Sequence, residues 1–202
     1  MYSMILKVDM LLWMSFACAG ALVGKGAPAA RAARGATSGA PRLDGGGGGA
    51  SRLEQLAQMT DLSIDSGDLD VIQRYAETGC ITDATTNPLF VSQAGTSGDA
   101  RYAALVDRAV EYARAHAAEA LDAVLELAMD RLAVELGLEI SKLVRGYVST
   151  EVDIRASFDT AESLRRARRI IGMYEAAGVP RERVLVKLAG TWEGIAAARV
   201  LE

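Results

Sequence analysis

The sequence predicts an α/β fold built on a parallel sheet, and three observations carry that expectation. From about residue 51 onward, short β-rich runs alternate with helical patterns, as in successive strand–helix units. The run Val184-Leu185-Val186-Lys187-Leu188 is nearly continuous in apolar residues, as strands covered on both faces are. Ionisable residues, Asp65, Glu151 and Lys187, fall in three of the four strands, two of them at or near the C-terminal ends where parallel α/β folds carry their chemistry.

Along the chain, a first helix is expected around Ser51 to Met59, then a strand Leu62-Ser63-Ile64-Asp65. Ser66-Gly67-Asp68 makes the turn, Asp68 caps the next helix, and Asp70 sits in its first turn, where the helix dipole favours an anion. That helix, Leu69 to Glu77, stops at Gly79. The second strand, Cys80 to Thr86, ends at Asn87-Pro88, because a residue before proline is pushed out of helical geometry. Asp99 to about Val144 reads as helix with Gly137 as its only breaker, too long for one ordinary helix, and divides near His116 to Glu119. A third strand spans Tyr147 to Asp153. Asp159 with Glu162 three residues on approximates a capping box for a helix to about Ala177, closed by Gly178-Val179-Pro180. The fourth strand carries Lys187, and Thr191-Trp192-Glu193 opens a last helix.

Charge and composition narrow the chemistry. The chain has 202 residues and a formal net charge of −4, while residues 1–43 hold five basic side chains against Asp9 alone. The remainder is therefore more acidic than the whole, which argues against nucleic acid as a partner. Met10 to Val23 is an apolar stretch too short to span a bilayer comfortably but suited to a signal core, and Lys25 to Arg42 is acid-free and rich in Ala, Arg, Ser and Pro. Together they resemble the bipartite leader of proteins sent to plastids bounded by extra membranes. An ordinary secretory signal, or a misplaced gene start on a cytoplasmic protein, are the alternatives. Residues 44–50, with Gly45 to Gly49, read as a flexible linker, since they lack the GK[ST] ending of a phosphate loop. Cys80 is the only cysteine of the body and His116 the only histidine of the chain. A disulfide framework or cysteine metal site in the body is thereby excluded, and histidine-dependent triads and the usual zinc sites are disfavoured. Chemistry must rest on Lys, Asp, Glu and hydroxyl groups.

Lys187 is the focal residue. Burying an unpaired cation in an apolar strand costs several kcal/mol unless the group sheds its proton, and a neutral lysine amine adds to ketones to form a Schiff base. A lysine on an edge strand pointing to water is the alternative. Asp65 could equally cap the following helix, and Glu151 could be a solvated strand end. In a barrel of parallel strands, however, all three would converge on one mouth.

Four blocks carry a family resemblance that extends from about Leu53 to Glu202. They are Asp83-Ala84-Thr85-Thr86-Asn87-Pro88, Leu132 to Ile140, Ser149-Thr150-Glu151-Val152-Asp153, and Val184-Leu185-Val186-Lys187-Leu188-Ala189-Gly190-Thr191-Trp192-Glu193-Gly194-Ile195. In this order they resemble transaldolase, a Schiff-base enzyme of the pentose phosphate pathway with a (β/α)8 TIM-barrel fold. The resemblance implies Lys187 as the Schiff-base lysine and Glu151 and Asp65 as acid/base residues. It implies Asn87 and Thr85 as groups that bind substrate and orient water. It implies transfer of a dihydroxyacetone unit from a ketose phosphate, sedoheptulose 7-phosphate, to glyceraldehyde 3-phosphate, with no metal or organic cofactor. Leu89 departs from the family's first signature, which has a small residue after Asn-Pro.

A complete barrel of this kind needs roughly 250 residues, so residues 51–202 are expected to supply about the first four βα units. The expected partners are sugar phosphates, with no membrane partner for the mature form. Exposed strand edges also predict association, with a homodimer of two halves as one outcome. A non-catalytic fragment or interaction protein, and a lysine aldolase that releases its three-carbon product, are the competing functions.

Overall fold

The structure, a computed structural model, describes residues 50–202. The expected leader, and the linker apart from Ala50, lie outside the described residues.

Helix α1 (Arg52–Ala57) opens with a full capping box: Ser51 Oγ accepts the Glu54 N–H, and the Glu54 carboxylate accepts the Ser51 N–H. Strand β1 (Leu62–Asp65) leads to α2 (Leu69–Ala76), where Asp68 accepts the N–H groups of Asp70 and Val71. Gly79, at φ 73°, turns the chain into β2 (Ile81–Thr85). The next element departs from the sequence expectation. Asn87-Pro88 ends the strand and also starts a helix, α3 (Pro88–Thr96). Asn87 is extended, as a residue before proline should be, and Pro88 occupies the first helical position, where its missing N–H costs nothing.

The long helical stretch divides where expected, into α4 (Ala100–His116) and α5 (Leu121–Leu143). Strand β3 (Val148–Glu151) and a short 3-10 turn precede α6 (Thr160–Ala176). Only half of the expected capping box is present there: Asp159 accepts the Glu162 N–H, but Glu162 turns to Arg165 and Arg166 instead of back to the cap. Strand β4 (Val184–Lys187) and α7 (Trp192–Leu201) complete the described chain.

The four strands form one parallel sheet in the order β1-β2-β3-β4. Its outward face is apolar and covered. Ala84, Val148, Val184 and Val186 are buried against residues of the helices, among them Ile72, Leu105, Leu136, Ile140, Ile170 and Met173. Alternate residues, Asp65, Thr85, Ser149, Glu151, Leu185 and Lys187, point to the other face and are half-buried or exposed. A parallel sheet with helices on one face, and alternate side chains turned to the other, is the arrangement of consecutive barrel units.

Gly137, the one breaker residue of this stretch, lies inside α5, which runs through it. A Cβ there would overlap the Tyr174 hydroxyl and stand 2.9 Å from Tyr174 Cζ. The glycine thus admits the buried hydroxyl that meets Thr150 Oγ1 at 2.6 Å and joins α6 to the back of β3. Nearby, buried Arg166 pairs with Glu162 (2.6 Å), Glu126 (2.9 Å) and Asp130 (3.2 Å), while Arg169 also bonds Asp130. These ion pairs tie α5 to α6 at the edge of the core.

Candidate active site

Parallel register decides which side chains meet. Glu151 and Lys187 are Cα partners across β3 and β4, and the Val152 N–H donates to the Lys187 carbonyl at 3.0 Å, extending that register by one residue. Both side chains therefore leave the sheet on the same face. Lys187 Nζ lies 2.9 Å from Glu151 Oε2. The lysine side chain is 27% exposed and the glutamate 11%.

This changes the premise drawn from the apolar run. Lys187 is neither enclosed on both faces nor unpaired, because only Val184 and Val186 face the helices. Among the described residues β4 is an edge of the sheet, as the alternative reading held, yet the lysine points to the face away from the helices and to a carboxylate.

The second pair forms at the other side of the sheet. Asp65 and Thr85 are register partners on β1 and β2, and Thr85 Oγ1 donates to Asp65 Oδ1 at 2.8 Å. Thr85 is in turn the partner of Ser149, and Ser149 of Leu185. Asp65, Thr85, Ser149 and Leu185 thus share one row, and Glu151 with Lys187 lies two residues further along the strands, about 7 Å by the rise of a strand. Asp65 makes no direct hydrogen bond to Lys187. A substrate several atoms long is needed to span from the amine to the second acid.

Asn87 sits just past the end of β2. Its Oδ1 accepts the N–H groups of Leu89 (3.0 Å) and Phe90 (3.2 Å), which fixes the amide with its NH2 as the remaining donor. The sequence marks Asn87 as a candidate binding residue but not as a helix cap. Leu89, the departure from the family signature, is half exposed at the second position of α3. Ser149 belongs to the third block of the resemblance without a role implied for it. Its hydroxyl, on the open face between Thr85 and Leu185, makes no hydrogen bond within the described chain, and the two-residue alternation with Glu151 was the signal that could have placed it.

The loops above the pair are stitched together. Thr191 Oγ1 donates to the Ser157 carbonyl, and Thr160 Oγ1 donates to the Glu193 carbonyl at 3.0 Å. These bonds link the segment after β3 to the segment after β4. Chemically, the face offers one amine beside a carboxylate, a second carboxylate one row away, and hydroxyl and amide donors between. Among the described residues no group of His, Cys, Asp and Glu is placed to hold a metal ion.

Comparison with known proteins shows the family of the chain. The family model described as Transaldolase/Fructose-6-phosphate aldolase matches residues 62–202. Transaldolase of Haemophilus influenzae is 45% identical over 152 residues, which cover 75% of this chain and 46% of that protein. The transaldolase of Aeromonas salmonicida is 45% identical over 153 residues, covering 76% and 46%. That of Cellvibrio japonicus is 49% identical over 154 residues, covering 75% and 45%. The chain spans a little under half the length of these relatives. With four parallel βα units in sequence order and a match over most of its length, the chain belongs to the transaldolase/fructose-6-phosphate aldolase family, whose fold is a (β/α)8 barrel.

Proposed function

We propose that this sequence carries the Schiff-base half of a transaldolase, with Lys187 as the covalent residue. The observation that carries the reading is the 2.9 Å contact between Lys187 and Glu151 on the polar face. An amine attacks only after giving up a proton, and Glu151 is the acceptor within reach. Addition of Nζ to the C2 carbonyl of a ketose phosphate gives a carbinolamine, and loss of its hydroxyl as water gives an iminium. Glu151 supplies the proton for that loss.

Asp65 then takes the proton of the C4 hydroxyl. The C3–C4 bond breaks, its electron pair moves into the iminium, and an aldose phosphate leaves while a three-carbon enamine stays on Lys187. Attack of the enamine carbon on the aldehyde of a second aldose phosphate reverses these steps, with Asp65 returning the proton. Sedoheptulose 7-phosphate as donor and glyceraldehyde 3-phosphate as acceptor place the reaction in the pentose phosphate pathway. The free NH2 of Asn87 suits a substrate hydroxyl, and Thr85 orients Asp65 and accepts a bond from water. No cofactor enters the scheme.

Borohydride reduction in the presence of a ketose phosphate tests the reading. A stable mass increase on the chain is expected, and its persistence in Lys187→Ala would remove the lysine from the mechanism. Assays with and without an acceptor aldose separate transfer from simple release of the three-carbon product.

A second reading is favoured by the sheet edges. Among the described residues β1 and β4 each lack a neighbour on one side, so association with another four-stranded unit, including a second copy, is proposed. A compact monomer on sizing chromatography contradicts it. For the leader, residues 1–43 support a plastid destination, which a cytosolic signal from a fluorescent fusion of that segment refutes.

A further inference from the structure

Asp65 is exposed, and a single hydrogen bond from Thr85 holds its carboxylate. What fixes the chain around it lies on α3 and α4. Directly after Asp65 the backbone turns through Ser66-Gly67-Asp68 into α2, and two side chains grip that turn. Phe90 presses on it so closely that a Cβ at Gly67 would stand 2.7 Å from Phe90 Cβ. Tyr102, buried on α4, donates its hydroxyl hydrogen to the Gly67 carbonyl at 3.0 Å and accepts the Leu69 N–H at 3.0 Å. Beside it Arg101 forks onto both carboxylate oxygens of Asp70, at 2.8 and 2.9 Å.

The Tyr102 hydroxyl thus bonds the chain on both sides of Asp68, from 33 to 35 residues away. We infer that Tyr102 is the positioning residue for Asp65: its hydroxyl fixes the β1–α2 turn and so sets where the Asp65 carboxylate meets the bond to be broken. The inference rests on the proposed acid/base role of Asp65. It assigns Tyr102 to carbon–carbon bond cleavage and not to capture of the ketone, because both hydrogen bonds of its hydroxyl go to the β1–α2 turn, whereas Glu151 and Lys187 lie on β3 and β4. An error of about 1 Å in placing a catalytic group lowers its rate on the order of 100-fold. Losing both bonds of one hydroxyl is expected to lower it by about tenfold or more.

The test uses the full chain with Tyr102→Phe, which keeps the ring in the core and removes only the hydroxyl. The expected result is borohydride trapping of the ketose phosphate at the wild-type rate, with aldose release slowed about tenfold and KM within about twofold. Adding Tyr102→Phe to Asp65→Asn is expected to cause no further loss, since both act on one step. Equal slowing of trapping and release, or full additivity with Asp65→Asn, overturns the inference. Leu105→Ala, in the same helix and buried in the core, controls for general destabilisation and is expected to leave the ratio of release to trapping unchanged. Absence of trapping in the wild type sinks the proposed Lys187 chemistry alone. The placement claim is then read from the Asp65 carboxyl carbon by NMR, where an identical chemical shift in wild type and Tyr102→Phe overturns it.

Discussion

Glu151 and Lys187 are partners twice over, once through the backbone register of β3 and β4 and once through a 2.9 Å ion pair between their side chains. The pair is mostly shielded from water, so removing either member leaves a poorly solvated charge behind. Lys187→Met or Glu151→Gln alone is expected to destabilise the fold by about 1–3 kcal/mol. The double variant replaces both charges and is expected to be closer to wild type than the sum of the singles. Urea unfolding of the four proteins checks this, and strict additivity means the pair is not coupled in solution.

Legibility of the fold tracked the strength of local signals. Asp68, Asp159 and Gly178 announced their helix ends because capping and left-handed turns depend on a few neighbouring atoms. Asn87-Pro88 announced a strand end, but its second role as a helix start was hidden, since α3 lacks the strong apolar periodicity of α6. Gly137 stood out as a helix breaker, but what it does inside α5 was hidden. Its purpose is the Tyr174 hydroxyl from another helix, and a contact between residues 37 apart leaves no mark on the local pattern. The acid/lysine set could be named from the sequence, whereas its division into two rows required the register of the sheet.

Gly137→Ala should reverse the usual helix preference. In an exposed helix the change stabilises by about 1 kcal/mol. Here the new methyl meets the Tyr174 hydroxyl, so a net loss of about 1–3 kcal/mol is expected. Tyr174→Phe in the same chain removes the overlapping oxygen and recovers part of that loss, although it strands the buried Thr150 hydroxyl. Thermal unfolding of the two singles and the double measures the recovery. An unchanged or raised melting temperature in Gly137→Ala contradicts the packing described.

Acid stability should depend on Glu162 in particular. The hydrogen bond from Arg165, aided by Arg166, lowers its pKa to about 2 from an ordinary 4.5. A carboxylate with a depressed folded pKa contributes stability above its unfolded value, and that contribution disappears as pH falls through the folded one. Stability is therefore expected to fall between about pH 4.5 and pH 2 on account of this group. Asp153, held down chiefly by Arg155, acts in the same direction. Asp130 opposes them, because burial pushes its carboxyl up against the pull of Arg169 and Arg166. Arg165→Met is expected to lower stability at pH 6 and flatten the decline toward pH 2. Parallel urea midpoints for wild type and variant across that range rule out the Arg165–Glu162 linkage.

Asn87 permits its structural and functional roles to be separated with two substitutions. Its Oδ1 caps α3 by accepting from Leu89 and Phe90, while its NH2 is free for a substrate hydroxyl. Asn87→Ala removes both and is expected to cost about 1 kcal/mol of stability through the lost cap. Asn87→Asp keeps an acceptor for both N–H groups and places a negative charge at a helix N-terminus, which favours the fold by about 0.3–1 kcal/mol. It nevertheless has no NH2 to donate. If the amide binds substrate, Asn87→Asp is a protein at least as stable as the parent whose kcat/KM falls about tenfold or more, the scale of one lost hydrogen bond to a bound ligand. Activity that instead tracks stability across the two variants assigns Asn87 to the helix cap alone.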